Sequence, residues 1–311
     1  MKPEVLLMGQ FFEPKQRELE ELYTVHRYWE ASDKPALLAS LAERCEVIVT
    51  TGGRGVENEV MQALPKLRLV SCFAVGVDAV DVEWARARDI AVTNTPEVLT
   101  EDVADMALAL LLATIRRIPY GDRFVREGQW LKGSMALTSS LQGKRVGILG
   151  LGRIGSAIAR RCLGFNTVIG YSDPFPKTDT AYKYFADPVE LATWAEVLIA
   201  ACPGGAATKG LVSREVLTAL GAQGVFVNIS RGSVVDEAAL TELLGSGALG
   251  RAGLDVFADE PRVPQSLLAL ENVVLQPHQA SATVPTRTAM GQIVLDNVAA
   301  YFARKPLITQ V

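Results

Sequence analysis

The sequence predicts an α/β fold of parallel sheets covered by helices on both faces. Three observations carry that prediction. Short runs rich in valine, isoleucine and leucine alternate with segments of helical periodicity along most of the chain, the pattern of repeated βα units. The stretch Lys144–Gly155 joins an apolar run to a glycine turn, with Gly150, Gly152 and Gly155 at the spacing G-x-G-x-x-G, and the helical segment Ser156–Cys162 follows. Strand, turn and helix thus stand in the order a dinucleotide-binding unit needs. That motif begins only near residue 145, after a complete α/β unit, so the nucleotide domain is inserted in the chain rather than leading it.

Each motif glycine has a physical role. Gly150 permits the tight turn, Gly152 lets backbone approach a pyrophosphate, and Gly155 lets the helix lie close to its strand. Arg153 and Ile154 then present backbone N–H groups at a helix N-terminus, where the dipole favours phosphate.

The first unit reads as strands at Val5–Gly9, Thr24–Trp29, Glu46–Gly53, Arg68–Gly76 and Ile90–Asn94. Helices at Lys15–Leu22, Pro35–Ala42, Val56–Leu64 and Val82–Ala87 alternate with them. Pro96 interrupts the pattern. A longer helix follows, with Thr100 as N-cap and Glu101 and Asp102 in its first turn. Its apolar stripe is Val103, Met106, Ala107, Leu110, Leu111 and Thr114; Arg116 and Arg117 suit its C-terminal end and Pro119 stops it. A second helix is expected at Phe124–Trp130, then a loop over Gly133–Leu141. Beyond the glycine motif, strands are expected at Thr167–Tyr171, Val197–Ala201, Val225–Ile229, Gly253–Phe257 and Val273–Leu275. The helices between them are Asp187–Trp194, Arg214–Leu220, Glu237–Ser246 and Leu267–Leu270, and a last helix runs from Pro285 to about Arg304.

Bulk properties narrow the function. The chain has 311 residues, 49% hydrophobic and 21% charged, as a globular protein with a sizeable core requires. A net charge of −4 argues against nucleic acid as a partner. No apolar run approaches the ~20 residues of a membrane span, and Met1–Glu4 does not open a secretory signal. Cys45, Cys72, Cys162 and Cys202 show no C-x-x-C spacing. They read as reduced structural residues of a cytoplasmic protein, and no metal is expected.

Ligands of open α/β sheets bind at the carboxyl ends of the strands. Arg231, Asp255, Glu260 and His278 fall in or just after successive strands of the second unit. His26 and His278 are the only histidines, and His278 is the one at a strand end. An acid or base working near neutral pH favours histidine. Taken singly, an arginine before glycine reads as a solvated loop charge, and Asp259–Glu260–Pro261 as an ordinary turn. An arginine, a glutamate and a histidine at successive strand ends together mark a site.

Four ordered segments also carry a resemblance that covers the chain nearly end to end. They are Gly147–Gly155, Val227–Asp236, Gly253–Pro261 and Gln276–Thr283. The chain resembles the D-isomer-specific 2-hydroxyacid dehydrogenases, and within them the glyoxylate/hydroxypyruvate reductases. The resemblance implies a flavodoxin-like α/β substrate domain, residues 1–96 plus 285–311, and an inserted Rossmann-type NAD(P)-binding domain, residues 97–284. It implies reduction of a small 2-keto acid to the D-2-hydroxy acid by hydride transfer. Arg231 would bind the substrate carboxylate, a planar group that suits its fork. His278 would protonate the keto oxygen and Glu260 would hydrogen-bond the imidazole. Val75 and Gly76 would form a backbone cradle for the substrate carboxylate, although a plain glycine turn after a strand reads equally well there. Pro203 and Thr208 would line the adenosine half of the cofactor and Asp255 would hold the nicotinamide amide, with His278 beside it. The segment Arg116–Leu141 resembles the family's dimerisation arm and implies a homodimer; Trp130 matches the arm's earlier tryptophan. Phosphoglycerate dehydrogenase and dinucleotide-sensing corepressors of the same fold are the rival readings.

The 2′ position of the cofactor turns on Ser172 and Asp173. Asp173 lies 23 residues after Gly150, where an acid bonds the ribose 2′-OH and rejects a 2′-phosphate. The resemblance points the other way. NAD users of the family carry the acid directly after the position of Tyr171, where this chain has Ser172. NADP users carry a small polar residue there, usually followed by arginines, and here the nearest cation is Lys177. The expectation is NADP(H) ahead of NAD(H).

Overall fold

The computed structural model describes residues Lys2–Val311. It divides into two compact units, Met1–Leu99 with Ser281–Val311, and Thr100–Ala280. The first unit opens with β1 (Glu4–Leu7), α1 (Glu13–Leu22), β2 (Thr24–Arg27), α2 (Lys34–Leu41) and β3 (Cys45–Thr51). It continues with α3 (Asn58–Gln62), β4 (Leu69–Phe73), α4 (Val82–Arg86) and β5 (Ala91–Thr93). The five strands pair in parallel in the order β2-β1-β3-β4-β5, the flavodoxin-like order. β4 is buried along its whole length and β1 and β3 nearly so, which is why they read as near-continuous apolar runs. Asp33 and Asp81 cap α2 and α4 by accepting the N–H groups of Ala36 and Trp84, each at 2.9 Å.

The second unit runs α5 (Thr100–Ile115), α6 (Ile118–Arg126), β6 (Arg145–Leu149), α7 (Arg153–Leu163), β7 (Val168–Ser172), β8 (Lys183–Tyr184), α8 (Pro188–Trp194) and β9 (Val197–Ala200). Then come α9 (Arg214–Leu220), β10 (Val225–Asn228), α10 (Glu237–Ser246), β11 (Arg251–Leu254), α11 (Gln265–Leu268) and β12 (Val273–Leu275). Seven parallel strands lie in the order β12-β11-β10-β9-β6-β7-β8. Counted within the unit, this is the doubly wound Rossmann order, with its switch point between β6 and β9. The core between β9–β11 and α8–α10 holds Leu198, Phe226, Leu217, Leu240 and Leu244. Helix α5 is tied to α7 through Arg161–Asp105 at 2.6 Å and Arg160–Glu101 at 3.1 Å.

The chain then returns to the first unit as α12 (Val284–Phe302). Lys15 Nζ meets Gln292 Oε1 at 2.6 Å, fastening α12 to α1. The tail covers the β5 edge, where Gln310 bridges Thr93 and the Val311 N–H donates to Val92 at 3.0 Å. Among the described residues, no helix is long and apolar enough to cross a membrane.

Several local expectations shift. Thr100 lies inside α5 rather than before it. The helix expected at Phe124–Trp130 lies earlier, as α6 from Ile118 to Arg126, and Pro119 is its second residue, because Arg117 takes a left-handed conformation (φ 53°) between α5 and α6 and the proline opens the next helix. Gln129–Lys132, which includes Trp130, forms a separate 3₁₀ turn. The strand from Thr24 stops at Arg27, and the helix expected at Val56–Leu64 is confined to α3. The two-residue β8 was not anticipated, since Lys183–Tyr184 is too short to show alternation. Asp255 stands just past β11 rather than within it.

Candidate active site

The carboxyl ends of the second unit's strands lie on one edge, and the expected residues of that unit sit on them. After β10, Asn228 is 1% exposed and organises the turn to Arg231. Its Nδ2 donates to the Arg231 carbonyl at 3.0 Å and its Oδ1 accepts the Ser230 N–H at 3.0 Å. The Ser230 hydroxyl donates to the Cys202 carbonyl, joining this turn to the end of β9. Arg231 Nη1 donates to the Ser230 carbonyl at 2.9 Å. A Cβ on Gly232 would lie 1.9 Å from the Phe257 backbone, so only glycine lets the Arg231 turn meet the loop after β11.

That loop carries Glu260. Its Oε1 accepts the Phe257 N–H at 3.0 Å and its Oε2 lies 2.7 Å from His278 Nδ1. Burial pushes the Glu260 carboxyl up. The hydrogen bonds from His278 and Phe257, with attraction to His278 and Arg231, outweigh burial and hold it below the usual carboxylate range. Nδ1–H bonding to Glu260 leaves Nε2 as the imidazole atom that can hand over a proton. His278 itself is left-handed at φ 54°, a conformation that costs a non-glycine residue on the order of 1–3 kcal/mol.

Asp255 is enclosed by backbone donors. It is 0% exposed, and its Oδ1 and Oδ2 accept the N–H groups of Gln279 at 2.7 Å and Ala280 at 2.9 Å. Its carbonyl accepts the His278 N–H at 2.8 Å. Burial pushes this carboxyl up, and the two backbone donors only partly offset the rise.

The other half of the edge fits a dinucleotide. A Cβ on Gly150 (φ 90°) would lie 2.7 Å from Cys202 backbone, and one on Gly155 would lie 2.1 Å from the Gly150 carbonyl. A Cβ on Gly152 would meet nothing within 4 Å, so the space above the turn is open. Gly152 precedes α7 and brings no capping side chain, so the first turn at Arg153 and Ile154 has the backbone arrangement that suits an anion. Thr208 donates its hydroxyl to the Pro203 carbonyl at 2.6 Å and closes the loop after β9 on itself, with Pro203 exposed. Ser172 is 8% exposed within β7. Asp173 follows it, and its Oδ2 accepts the Leu151 N–H at 3.0 Å with Lys177 Nζ at 3.4 Å. The acid at the strand end is therefore turned toward the glycine turn.

Val75 and Gly76 lie in the first unit, after β4. Asn94 Nδ2 donates to the Val75 carbonyl at 2.9 Å, and the Asn94 carbonyl accepts the Thr309 hydroxyl at 2.6 Å. His26 lies on β2 with Nε2 3.2 Å from Glu4, away from any such edge cluster. Asn228, Ser230 and Gly232 were not singled out beforehand, although the Asn-x-x-Arg-Gly spacing was in view.

Comparison with known proteins gives the family of the chain. Residues 108–280 match the model of the D-isomer specific 2-hydroxyacid dehydrogenase, NAD binding domain. A glyoxylate/hydroxypyruvate reductase A of Arabidopsis thaliana is 45% identical over 99% of this chain and 98% of its own length. A hydroxyphenylpyruvate reductase of Plectranthus scutellarioides is 46% identical over the same shares. The crystal structure of an NADPH-dependent glyoxylate/hydroxypyruvate reductase of Sinorhizobium meliloti, in complex with NADP and malonate, superposes with a TM-score of 0.94 at 42% identity, covering 100% of this chain and 97% of that one.

The glycine geometry separates two variants. Gly155→Ala forces its methyl against the Gly150 carbonyl and should lower Tm by several degrees, since a loss of 1–3 kcal/mol is typical of overpacking. Gly152→Ala should melt like the parent and bind dinucleotide more weakly in a fluorescence titration. Equal melting of both variants would contradict this division.

Proposed function

The chain belongs to the D-isomer-specific 2-hydroxyacid dehydrogenases, and on that footing we propose that it reduces a small 2-keto acid of the glyoxylate or hydroxypyruvate type to the D-2-hydroxy acid. The observation that carries this reading is the 2.7 Å Glu260–His278 pair, with Arg231 on the neighbouring strand end. A reduced nicotinamide dinucleotide, when bound, would supply the hydride. Arg231 is assigned to the substrate carboxylate, where its charge also polarises the adjacent keto group. His278 Nε2 gives its proton to the keto oxygen as that oxygen gains negative charge, and Glu260 keeps the ring turned so that Nε2 is the donor. Gly150, Gly152, Arg153, Ile154 and Gly155 are assigned to the pyrophosphate, with Pro203 and Thr208 along the adenosine side.

For the cofactor, the resemblance and the NADPH dependence of the Sinorhizobium relative support NADPH. The Asp173 carboxylate supports a second reading, NADH, because a 2′-phosphate beside it meets a like charge that Lys177 only partly offsets. We also propose a homodimer formed through residues 116–141. No residue of α6 is buried, and Val125, Leu131 and Leu137 are 55%, 93% and 98% exposed. Such a run of apolar side chains on one segment suits a partner, and a second copy is the partner the resemblance implies. The cytoplasm is the proposed compartment, where the four free, buried cysteines stay reduced.

The function is tested by initial rates with glyoxylate, hydroxypyruvate and phenylpyruvate, each with NADPH and NADH, and with 3-phosphoglycerate and the oxidised cofactors. His278→Asn should lower kcat by about 10²–10⁴-fold while the NAD(P)H Kd stays within about threefold; a large loss of cofactor affinity would remove the proton-donor role. If the parent protein turns over none of these substrates yet binds dinucleotide, the corepressor-like reading replaces the enzyme.

Asp173→Asn should raise the NADPH:NADH ratio of kcat/KM by about tenfold, equivalent to about 1.4 kcal/mol. An unchanged ratio removes Asp173 as the selector and leaves Ser172, for which Ser172→Asp should shift preference to NADH. For the dimer, light scattering should give the parent twice the chain mass, and Val125→Asp with Leu131→Asp should give the monomer. A monomeric parent protein rejects the arm as an interface.

A further inference from the structure

We propose that Thr309, on the segment after α12, is a positioning residue for the substrate carboxylate: it fixes Asn94, and Asn94 with Thr95 fixes the Val75–Gly76 turn. The inference deepens the functional reading in which Val75 and Gly76 cradle that carboxylate, and rests on it. All of these residues belong to the first unit. The turn follows β4, and the residues just after β5 hold it. The Thr95 N–H donates to the Ala74 carbonyl at 2.8 Å, and Asn94 Nδ2 donates to the Val75 carbonyl at 2.9 Å. A peptide unit is planar and trans, so its N–H points opposite to its carbonyl. Clamping the Ala74 and Val75 carbonyls therefore aims the N–H groups of Val75 and Gly76 the other way. These are the two donors that a carboxylate in the cradle would meet.

Asn94 needs a hold of its own, because β5 ends at Thr93 and Asn94 lies half-buried just beyond it. Thr309 grips its backbone twice. The Asn94 N–H donates to the Thr309 carbonyl at 3.2 Å, and the Thr309 hydroxyl donates to the Asn94 carbonyl at 2.6 Å. Thr309 is fixed in turn by Asn297 of α12, which is 0% exposed. Asn297 Nδ2 donates to the Thr309 hydroxyl at 3.0 Å, and its Oδ1 accepts the N–H groups of Ile308 at 2.9 Å and Thr309 at 3.4 Å. The Thr309 hydroxyl thus accepts one bond and donates another, so a single oxygen links α12 to Asn94. Valine has the same shape and makes neither bond; serine keeps both. The competing role is plain fastening of the segment to the β5 edge. That fastening is supplied by the Thr93–Gln310 bridge and by the Val311 N–H to the Val92 carbonyl at 3.0 Å. Neither uses the Thr309 hydroxyl.

The turn can be watched directly. The chain has two Val–Gly pairs, Val75–Gly76 and Val146–Gly147. With ¹³C at the valine carbonyl and ¹⁵N on glycine, only these two peptide units give a coupled amide signal, assigned by Val75→Ile. Gly147 lies in the second unit and serves as the internal control. In Thr309→Val the Gly76 signal should move while that of Gly147 stays; in Thr309→Ser both should match the parent. In Thr309→Val the KM for glyoxylate should rise roughly threefold to tenfold, as one lost hydrogen bond predicts, with kcat and the NADPH Kd within about twofold of the parent, because binding shared by ground and transition states enters KM alone. A merely structural part would lower the active fraction, and so kcat, at unchanged KM. An unmoved Gly76 signal overturns the proposal, as does a fall in kcat at unchanged KM, or a Thr309→Ser protein that behaves like Thr309→Val. If Thr309→Val does not fold, Asn94→Ala, which removes the bond to the Val75 carbonyl, is measured the same way. Should the parent protein turn over no 2-keto acid, the functional reading fails and the Gly76 signal still decides. It must move with oxalate in the parent and with Thr309→Val, and a signal unmoved by either overturns the proposal.

Discussion

A parallel strand hands its next residue to one edge of its sheet, and all seven strands of the second unit hand theirs to the same edge. Everything chemical in that unit depends on this constraint. In sheet order the edge presents His278 after β12, Asp255 and Glu260 after β11, Arg231 after β10, the Cys202–Pro203 turn after β9, Gly150 after β6 and Asp173 after β7. At about 4.8 Å per strand, the row is roughly 24 Å long. Groups suited to proton transfer and to a carboxylate occupy one end. Groups suited to a pyrophosphate and a ribose occupy the other. The chain visits them in a different order, so the division is made by the winding of the sheet and not by sequence proximity.

Loop-to-loop contacts turn this row into a site. Ser230 bonds the Cys202 carbonyl, Gly232 admits the Phe257 backbone, and Ala258 donates to Glu237 at 2.9 Å. Each contact ties one strand end to its neighbour. The two carboxylates at the chemical end are then placed in opposite environments. Asp255, sealed among backbone donors, has its carboxyl pushed up by burial. Glu260, partly exposed and facing His278, is held below its usual range. A carboxylate held low stays ionised through the neutral range, and its contribution to stability is present above the unfolded pKa and lost as pH falls through the folded one. Like side chains thus serve unlike purposes because their surroundings differ.

What could be read in advance follows the same physics. The strands Val225–Asn228 and Val273–Leu275 and the helices Arg214–Leu220 and Glu237–Ser246 were legible because their apolar periodicity and flanking turns are local. Arg231, Glu260 and His278 were legible because a strand end is a special place and histidine is scarce in this chain. The α5–α6 break was not, since nothing local says that Arg117 turns left-handed and that Pro119 starts a helix instead of stopping one. Nor was the work of Asp255. An aspartate after a strand looks the same whether its oxygens face a ligand or a backbone 24 residues away. Direction of a side chain is a tertiary fact.

Asp255 also stands at a junction in the chain. The second unit ends at Ala280, whose N–H is one of the two the carboxylate holds. The segment that carries His278 is thus the segment by which the chain leaves the unit. A loop of this kind would ordinarily be free to fray, because it lies beyond the last strand and before the next helix cap at Thr283. Three bonds from one buried residue tie down His278, Gln279 and Ala280. The first unit solves a similar problem at the Val75–Gly76 turn with residues distant in sequence. Asn297, 0% exposed, donates to the Thr309 hydroxyl at 3.0 Å; Thr309 bonds the Asn94 carbonyl, and Asn94 holds Val75. In both units a polar side chain at the end of the regular structure takes over where the backbone ladder stops.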